Sequence, residues 1–407
     1  MKCGLLGRKL GHSYSPQIHA LLGNYSYQLF EKEPEEIGDF LKNGDFTGLN
    51  VTIPYKKEVI PFLDELSPAA ARLGAVNTIV RRDGKLIGHN TDYFGFRRLV
   101  QESGLQVAGK KVLVLGSGGA SSTAVAVLQE LGAKVTVISR SGENNYENLD
   151  RHADAAVIAN TTPVGMYPNT GKSALSLEGF PRLEGVLDAV YNPARTQILL
   201  DAEHRGLAAV NGLWMLVAQA KESAEWFTGE EIPDSRIAKI HHALRLQMEN
   251  IILIGMPGCG KTAVGQQLAQ KLGKKFVDAD ESLEARVCRK ITDIIPNDGE
   301  AAFREMESET LAELGKQSGL VIATGGGCVT QPQNYPLLHQ NGTIFWLKRE
   351  LDKLPTDGRP LSQKGTLGQM YEARMPLYLR FADAAISNDG SIAETASAIC
   401  RKLEETT

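Results

Sequence analysis

Residues 251–262 read Ile251-Ile252-Leu253-Ile254-Gly255-Met256-Pro257-Gly258-Cys259-Gly260-Lys261-Thr262. Four apolar residues run straight into a loop with three glycines, and the loop ends in Lys-Thr. The pattern predicts a buried strand at Ile251–Ile254, a tight loop, and a helix over Ala263–Leu272. This is the spacing of a P-loop, in which each residue type has a task. Backbone amides from Gly258 to Ala263, with Cys259 as a small filler, cradle phosphates. Lys261 reaches the β- and γ-phosphates, and the Thr262 hydroxyl faces Mg2+. The loop points to ATP as donor and to a parallel α/β sheet; it leaves the acceptor open.

Upstream of this loop, Met248 stands where a free-standing protein of this kind would start, so we read it as the seam of a gene fusion. Helices are expected over Trp214–Phe227 and Ser235–Leu246, with almost no linker before the strand. Further upstream, the apolar strand Val112–Leu115 opens into Gly116-Ser117-Gly118-Gly119-Ala120-Ser121. A helix is predicted over Thr123–Leu131, and strands at Lys134–Ile138, Ala156–Ala159 and Val186–Ala189. This is a Rossmann pattern, in which the loop Gly116–Ala120 brings amides close to a pyrophosphate. A glycine turn that merely packs helix on strand is the bland alternative.

An NAD site usually carries Asp or Glu at the end of the second strand, for the ribose hydroxyls. Here that strand ends in Ser139-Arg140-Ser141. An arginine between hydroxyls suits a 2′-phosphate, which favours NADP(H); a solvated surface arginine is the alternative. In the first hundred residues, Lys2–Leu6, Tyr27–Glu31 and Leu49–Ile53 read as strands. Asp83-Gly84 predicts a hairpin between Val76–Arg82 and Lys85–His89, and a helix over Tyr93–Ser103 ends at Gly104.

At 407 residues the chain is too long for one ordinary core, and two or three domains are expected. Apolar residues at 42% and charged residues at 23% read as soluble and globular. A net charge of only -4 offers no basic field for nucleic acid or an anionic membrane. The five cysteines, Cys3, Cys259, Cys288, Cys328 and Cys400, form no C-x-x-C pair, which argues against a zinc site and for a reducing compartment. The start of the chain turns polar too soon for a signal peptide, and no apolar run is long enough to span a bilayer. A cytoplasmic protein is the expectation, as a monomer or homodimer acting on small molecules.

Several motifs of residues 1–247 occur in the order found in shikimate dehydrogenases. They are His12-Ser13-Tyr14-Ser15-Pro16 with His19, Asn50-Val51-Thr52-Ile53-Pro54-Tyr55-Lys56, Ala75-Val76-Asn77-Thr78, and Gly88-His89-Asn90-Thr91-Asp92. Asn160 to Met166, Asp188 to Pro193, and Gly212-Leu213-Trp214-Met215-Leu216 with Gln219 complete the set. The resemblance implies that Lys56 and Asp92 act on the reacting oxygen. It implies that Ser13, Ser15, Thr52, Asn77, Tyr191 and Gln219 touch the substrate, and that Ala189 and Gly212 lie at the nicotinamide. A protonated Lys56 can donate as it stands; serving as base in reverse requires a neutral amine, or it acts as an oriented cation. Taken singly, Ser13 and Ser15 also suit a helix cap before Pro16, Thr52 a strand, and Gln219 a solvated helix position.

Within residues 249–405 stand, in order, Phe276-Val277-Asp278-Ala279-Asp280, Gly299 to Arg304 with Glu307, Thr324-Gly325-Gly326-Gly327, Asp357-Gly358-Arg359-Pro360-Leu361, and Arg374 through Tyr378. This set resembles shikimate kinase. It implies that Arg304, Gly326 and Arg374 hold the acceptor carboxylate and ring. Asp280 would accept a hydrogen bond from the attacking hydroxyl, orienting it or taking its proton, Asp278 would hold Mg2+ through water beside the Thr262 hydroxyl, and Arg359 would close over the phosphoryl group. The expected architecture is α/β throughout: a substrate domain at 1–97 and 215–247, a Rossmann NADP domain at 98–214, and a P-loop kinase domain at 248–407. The implied reactions are consecutive, since shikimate made by the first is consumed by the second. A quinate-preferring, NAD-using dehydrogenase and a catalytically dead metabolite sensor are the alternatives; the second requires lost catalytic residues, yet Lys56, Asp92, Lys261, Thr262 and Asp280 are all present.

Overall fold

Each of three stretches of apolar strands and glycine turns builds its own sheet. The computed structural model describes residues 1–11, 13–354 and 367–405. The first stretch holds β1 (Lys2–Gly7), α1 (Ser15–Leu22), β2 (Ser26–Glu31), α2 (Ile37–Asn43), β3 (Gly48–Val51), β4 (Glu65–Leu66), α3 (Pro68–Leu73), β5 (Thr78–Arg82), β6 (Lys85–His89) and α4 (Asp92–Glu102). Its strand order is β2-β1-β3-β5-β6-β4. β5 and β6 form the predicted hairpin, and both turn residues take positive φ, 49° at Asp83 and 78° at Gly84. That is the backbone twist an Asp-Gly hairpin turn favours.

The second stretch holds β7 (Lys111–Leu115), α5 (Gly119–Glu130), β8 (Lys134–Ile138), β9 (Val157–Asn160), β10 (Gly185–Asp188), α6 (Gln197–His204) and β11 (Ala208–Val210). The strands are all parallel, in the order β11-β10-β9-β7-β8. α7 (Leu213–Thr228) then packs on α1, α4, β3 and β5, and so returns the chain to the first sheet. α8 (Ser235–Met248) follows.

The third stretch holds β12 (Asn250–Ile254), α9 (Lys261–Leu272), β13 (Lys275–Asp278), α10 (Ala279–Val287), α11 (Ile291–Lys316), β14 (Leu320–Ala323), α12 (Asn334–His339), β15 (Gly342–Lys348), α13 (Leu367–Phe381), β16 (Ala384–Ser387) and α14 (Ile392–Glu405). The order β13-β14-β12-β15-β16 is parallel throughout. α11 breaks at Gly299, whose φ is 89°. β7 and β12 are each flanked on both sides by parallel strands. The loop leaving each therefore sits at a switch point, where open α/β sheets bind ligands.

By packing, the chain divides into two compact units. One is Met1–Met166, Lys172–Tyr191 and Ile198–Ala243; the other is Tyr167–Gly171, Asn192–Gln197 and Leu244–Thr407. Several predicted bounds need correction: β5 begins at Thr78 and not Val76, and α9 at Lys261 and not Ala263. β3 stops at Val51, short of the expected Ile53, because the chain turns at Thr52 and leaves Ile53 78% exposed. α5 starts at Gly119, four residues before the expected Thr123, so its first turn belongs to the glycine loop itself. No helix among the described residues is long and apolar enough to cross a membrane.

Candidate active sites

In the first unit, Lys56 follows the turn after β3. Its carbonyl accepts from the Val76 amide at 2.7 Å, which fixes it against the Ala75–Thr78 motif. Asp92 opens α4, with Thr91 at the N-cap. The Lys56 Nζ and the Asp92 carboxylate meet at 2.5 Å, with 24% and 10% of their side chains exposed. The pair is thus shielded but open on the lysine side.

A polar network lies behind it. Asn77 Oδ1 accepts from the Thr91 amide at 2.7 Å, while its Nδ2 donates to Thr91 Oγ1 at 3.0 Å and to Gln219 Oε1 at 3.4 Å. The fully buried Ser223 hydroxyl ties these elements together. It donates to the Gln219 carbonyl at 2.9 Å, accepts from Asn50 Nδ2 at 2.8 Å, and lies 2.8 Å from Thr78 Oγ1 and 2.9 Å from Thr91 Oγ1. Tyr27 donates to Asn50 Oδ1 at 2.7 Å. The structure therefore joins Asn77 and Gln219 in one network, whose Thr91 directly precedes Asp92 of the Lys56–Asp92 pair. It adds Asn50, Thr78, Thr91 and Ser223, to which sequence reasoning gave no role. The signal for Ser223 was its place one helical turn after Gln219, on the same face of α7.

Ser13 and Ser15 do not cap α1. The N-cap is Tyr14, with no side-chain cap bond, and Ser13 Oγ instead accepts from the Ser15 amide at 3.2 Å. Thr52 lies beyond the strand end, with its amide on the Leu6 carbonyl at 3.0 Å.

On the nucleotide side, Gly116 takes a φ of 110° and its carbonyl accepts from the Ser121 hydroxyl at 2.7 Å. Gly118 and Gly119 border open space, and no side chain caps α5. The loop amides are thus accessible to a phosphate, as the dinucleotide reading requires. After β8, Ser139 binds the Asn144 carbonyl through its amide, and Arg140 and Ser141 are exposed. The turn after β10 is tightly built. The fully buried Asp188 accepts from Asn160 Nδ2 and from the Val190 amide, both at 2.9 Å. Gly212 donates to the Val190 carbonyl at 2.9 Å, and a Cβ on it would collide with the Ala189 backbone. This close approach gives Gly212 a packing reason of its own and sets Ala189 to Tyr191 beside the start of α7.

In the second unit, one cavity of about 420 Å3 is lined by Gly258, Gly260 to Ala263, Asp278, Asp280, Arg304, Glu307, Gly325 to Gly327 and Arg374. Lys261 Nζ donates to the carbonyls of Gly255 and Met256 at 3.0 and 3.1 Å. The Thr262 hydroxyl donates to one Asp278 oxygen at 3.0 Å, while the other caps α10 through the Asp280 amide at 3.0 Å. Cys259 is fully buried, and its carbonyl accepts from Asn388 Nδ2 at 2.6 Å. Asn388 is a loop-fixing residue that sequence reasoning missed; nothing in its local pattern marks it.

Arg304 pairs with Glu307 at 2.8 Å and with Glu300 at 3.2 Å. Arg304 Nε and Glu307 Oε1 are buried without a hydrogen-bond partner, as expected of groups that a polar ligand or water completes. Arg374 Nη1 and the Tyr378 hydroxyl donate to the Gly326 carbonyl at 3.2 and 2.5 Å. Burial first, and then the Glu307 and Asp278 carboxylates, push the Asp280 carboxyl up to about 6. Arg359 lies outside the described residues. Among those described, no cluster of three or more His, Cys, Asp or Glu side chains could hold a metal ion; the Thr262–Asp278 pair fits Mg2+ carried with nucleotide phosphates.

A Rossmann loop joined to a shielded lysine–aspartate pair defines a nicotinamide-dependent dehydrogenase, and a P-loop above a cavity of carboxylates and arginines defines a small-molecule kinase. Comparison with known proteins agrees. Residues 5–79 match the shikimate dehydrogenase substrate binding domain, and residues 257–404 match shikimate kinase. The NADP(+) shikimate dehydrogenase of Clostridium perfringens is 37% identical over 264 residues, covering 60% of this chain and 97% of its own length. Among solved structures, shikimate dehydrogenase 1 from Peptoclostridium difficile aligns at 38% identity and a TM-score of 0.56, covering 60% of this chain and 98% of that one. A chorismate mutase/shikimate 5-dehydrogenase fusion from Clostridium acetobutylicum aligns at 36% and 0.57, covering 60% and 96%. The chain belongs to the shikimate dehydrogenase family and carries a shikimate kinase domain behind it, which makes it a bifunctional enzyme of the shikimate pathway.

Proposed function

We propose that the chain reduces 3-dehydroshikimate to shikimate with NADPH, then phosphorylates the shikimate 3-hydroxyl with ATP. The observation that carries the reading is the kinase cavity, which brings Lys261 and Thr262 together with Asp280, Arg304 and Arg374. A planar carboxylate suits paired guanidinium groups.

NADPH, when bound, supplies the hydride that carbonyl reduction needs. Lys56, oriented by Asp92, donates the proton to the carbonyl oxygen as negative charge develops there. Asn77 and Gln219, fixed through Ser223, hold the ring hydroxyls, and Ser13 and Ser15 the carboxylate. Arg140 favours the 2′-phosphate of NADP.

In the kinase, ATP with Mg2+ supplies the phosphoryl group, and Thr262 and Asp278 would hold the ion. Arg304 and Arg374 fix the acceptor carboxylate, with Glu307 orienting Arg304. Asp280 accepts the 3-hydroxyl proton as the new O–P bond forms and the β–γ bridge breaks. Lys261 neutralises charge on the bridging and terminal oxygens.

The test is a coupled assay on the purified chain with 3-dehydroshikimate, NADPH, ATP and Mg2+, following NADPH loss and ADP formation separately. Both proceed, and ADP forms only when NADPH is present or shikimate is added. NADPH loss without ADP in the presence of excess shikimate would refute the kinase acceptor.

A further inference from the structure

The rings of Tyr14 and Tyr191 lie edge to face, with centroids 6.2 Å apart and planes at 78°. The two residues come from different sheets of the first unit. Tyr14 is the N-cap residue of α1, which packs on β2 of the six-stranded sheet; Tyr191 ends the turn after β10 of the parallel sheet. Both backbones are held firmly. Tyr14 stands between Ser13 and Ser15, which are joined by the 3.2 Å bond, and its carbonyl accepts from the Ile18 amide at 3.0 Å. The Tyr191 turn is locked by Asp188 and Gly212. The Tyr191 hydroxyl is held above its ordinary range by burial first and by Tyr14 next.

We propose that Tyr14 is a positioning residue of the dehydrogenase: its ring fixes that of Tyr191 across the two lobes, so that Tyr191 and the Ser13/Ser15 pair reach the same substrate. The inference rests on the reading of Tyr191, Ser13 and Ser15 as substrate contacts. An edge-to-face pair contributes about 0.5–1.5 kcal/mol beyond burial, or about two- to tenfold in an equilibrium. Tyr14 acts through the Tyr191 ring, so the expected effect falls on substrate affinity.

Steady-state kinetics on the full chain test this, with kinase turnover as an internal check on folding. Tyr14→Ala raises KM for 3-dehydroshikimate about two- to tenfold, with kcat and the KM for NADPH within about twofold of wild type. Tyr14→Phe keeps the ring and restores the wild-type KM. Tyr191→Ala raises the same KM, and adding Tyr14→Ala to it changes nothing more. An unchanged KM in Tyr14→Ala, a Phe variant that behaves like Ala, or additive effects in the double variant would each overturn the proposal. Should Tyr14→Ala fail to fold, Tyr14→Leu carries the same expectations. If Tyr191→Ala leaves KM untouched, the substrate reading of Tyr191 is what fails, and the inference falls with it; a raised KM there with no effect at Tyr14 sinks the inference alone.

Discussion

Lys56 Nζ sits 2.5 Å from the Asp92 carboxylate, although 35 residues separate them in the chain and they belong to different elements. The ammonium is held in one place by a carboxylate that is itself fixed at the start of α4. Replacing Lys56 with Met removes both the proton donor and the charge. General-acid contributions are typically a hundred- to ten-thousandfold, so Lys56→Met lowers dehydrogenase kcat by about that factor and leaves the kinase intact. Lys261→Met does the reverse. Assaying both reactions on each variant checks this, and loss of both activities in one folded variant would contradict two separate sites.

Asp280 makes a prediction about stability. Its raised carboxyl means that the folded chain binds this proton more tightly than the unfolded one, where an aspartate titrates near about 3.9. Stability therefore falls as pH rises from about 4 to about 6, and the ionised group costs up to about 3 kcal/mol at neutral pH. Asp280→Asn relieves that cost while removing the proton acceptor. In the metal-free chain, calorimetry shows a higher unfolding temperature for the kinase transition at pH 7 and little difference at pH 4, with kinase turnover lost. A lower unfolding temperature at pH 7 would refute the electrostatic account.

Ser223 makes four contacts from one buried hydroxyl. Ser223→Ala takes one partner from the Asn50 amide and from the Thr78 and Thr91 hydroxyls, each of which keeps another, so the loss is about 0.5–1.5 kcal/mol per hydrogen bond and not that of an unsatisfied group. The dehydrogenase transition moves to lower temperature and KM for 3-dehydroshikimate rises several-fold, while the KM for ATP stays put. An unchanged KM would make Ser223 a purely structural residue.

What the sequence discloses follows the range of each signal. Both glycine loops were legible because strand, loop and helix are contiguous, and Arg304 with Glu307 because three residues on a helix bring side chains together. Ser223 and Asn388 were not, since their partners Asn50 and Cys259 lie 173 and 129 residues away. The early start of α5 was hidden because Gly119, Ala120, Ser121 and Ser122 carry no apolar period. Ile53 misled for the opposite reason: it is apolar and β-branched, yet the turn at Thr52 places it in solvent.

Arg140 stands exposed two residues past the end of β8, the strand that pairs with β7, from which the glycine loop leaves. A charge-assisted bond to the 2′-phosphate contributes about 1.5–3 kcal/mol, less what solvent screens away at an open site. Arg140→Ala therefore raises the KM for NADPH about tenfold and leaves the poorer KM for NADH within about twofold. Raising the ionic strength narrows the gap between wild type and variant. Equal losses with both nucleotides would assign Arg140 to the pyrophosphate or to packing.

Gly327 has no room for a side chain, since a Cβ there would collide with the Arg304 guanidinium. The backbone conformation is no obstacle: its φ is -107°, which alanine adopts freely. The penalty of Gly327→Ala falls on Arg304 alone. That guanidinium cannot retreat, being 6% exposed and held to Glu307 at 2.8 Å and Glu300 at 3.2 Å. The added methyl must break one of these pairings or tilt the fork that receives the acceptor carboxylate, and a bidentate contact tolerates little tilt. Gly327→Ala therefore raises KM for shikimate by tenfold or more. The KM for ATP moves little, because the P-loop contacts of Lys261 and Thr262 do not involve Gly327. Measuring both constants separates the outcomes: a parallel rise in the two would mean that the cavity has collapsed, and an unchanged shikimate KM would remove Arg304 from the acceptor site.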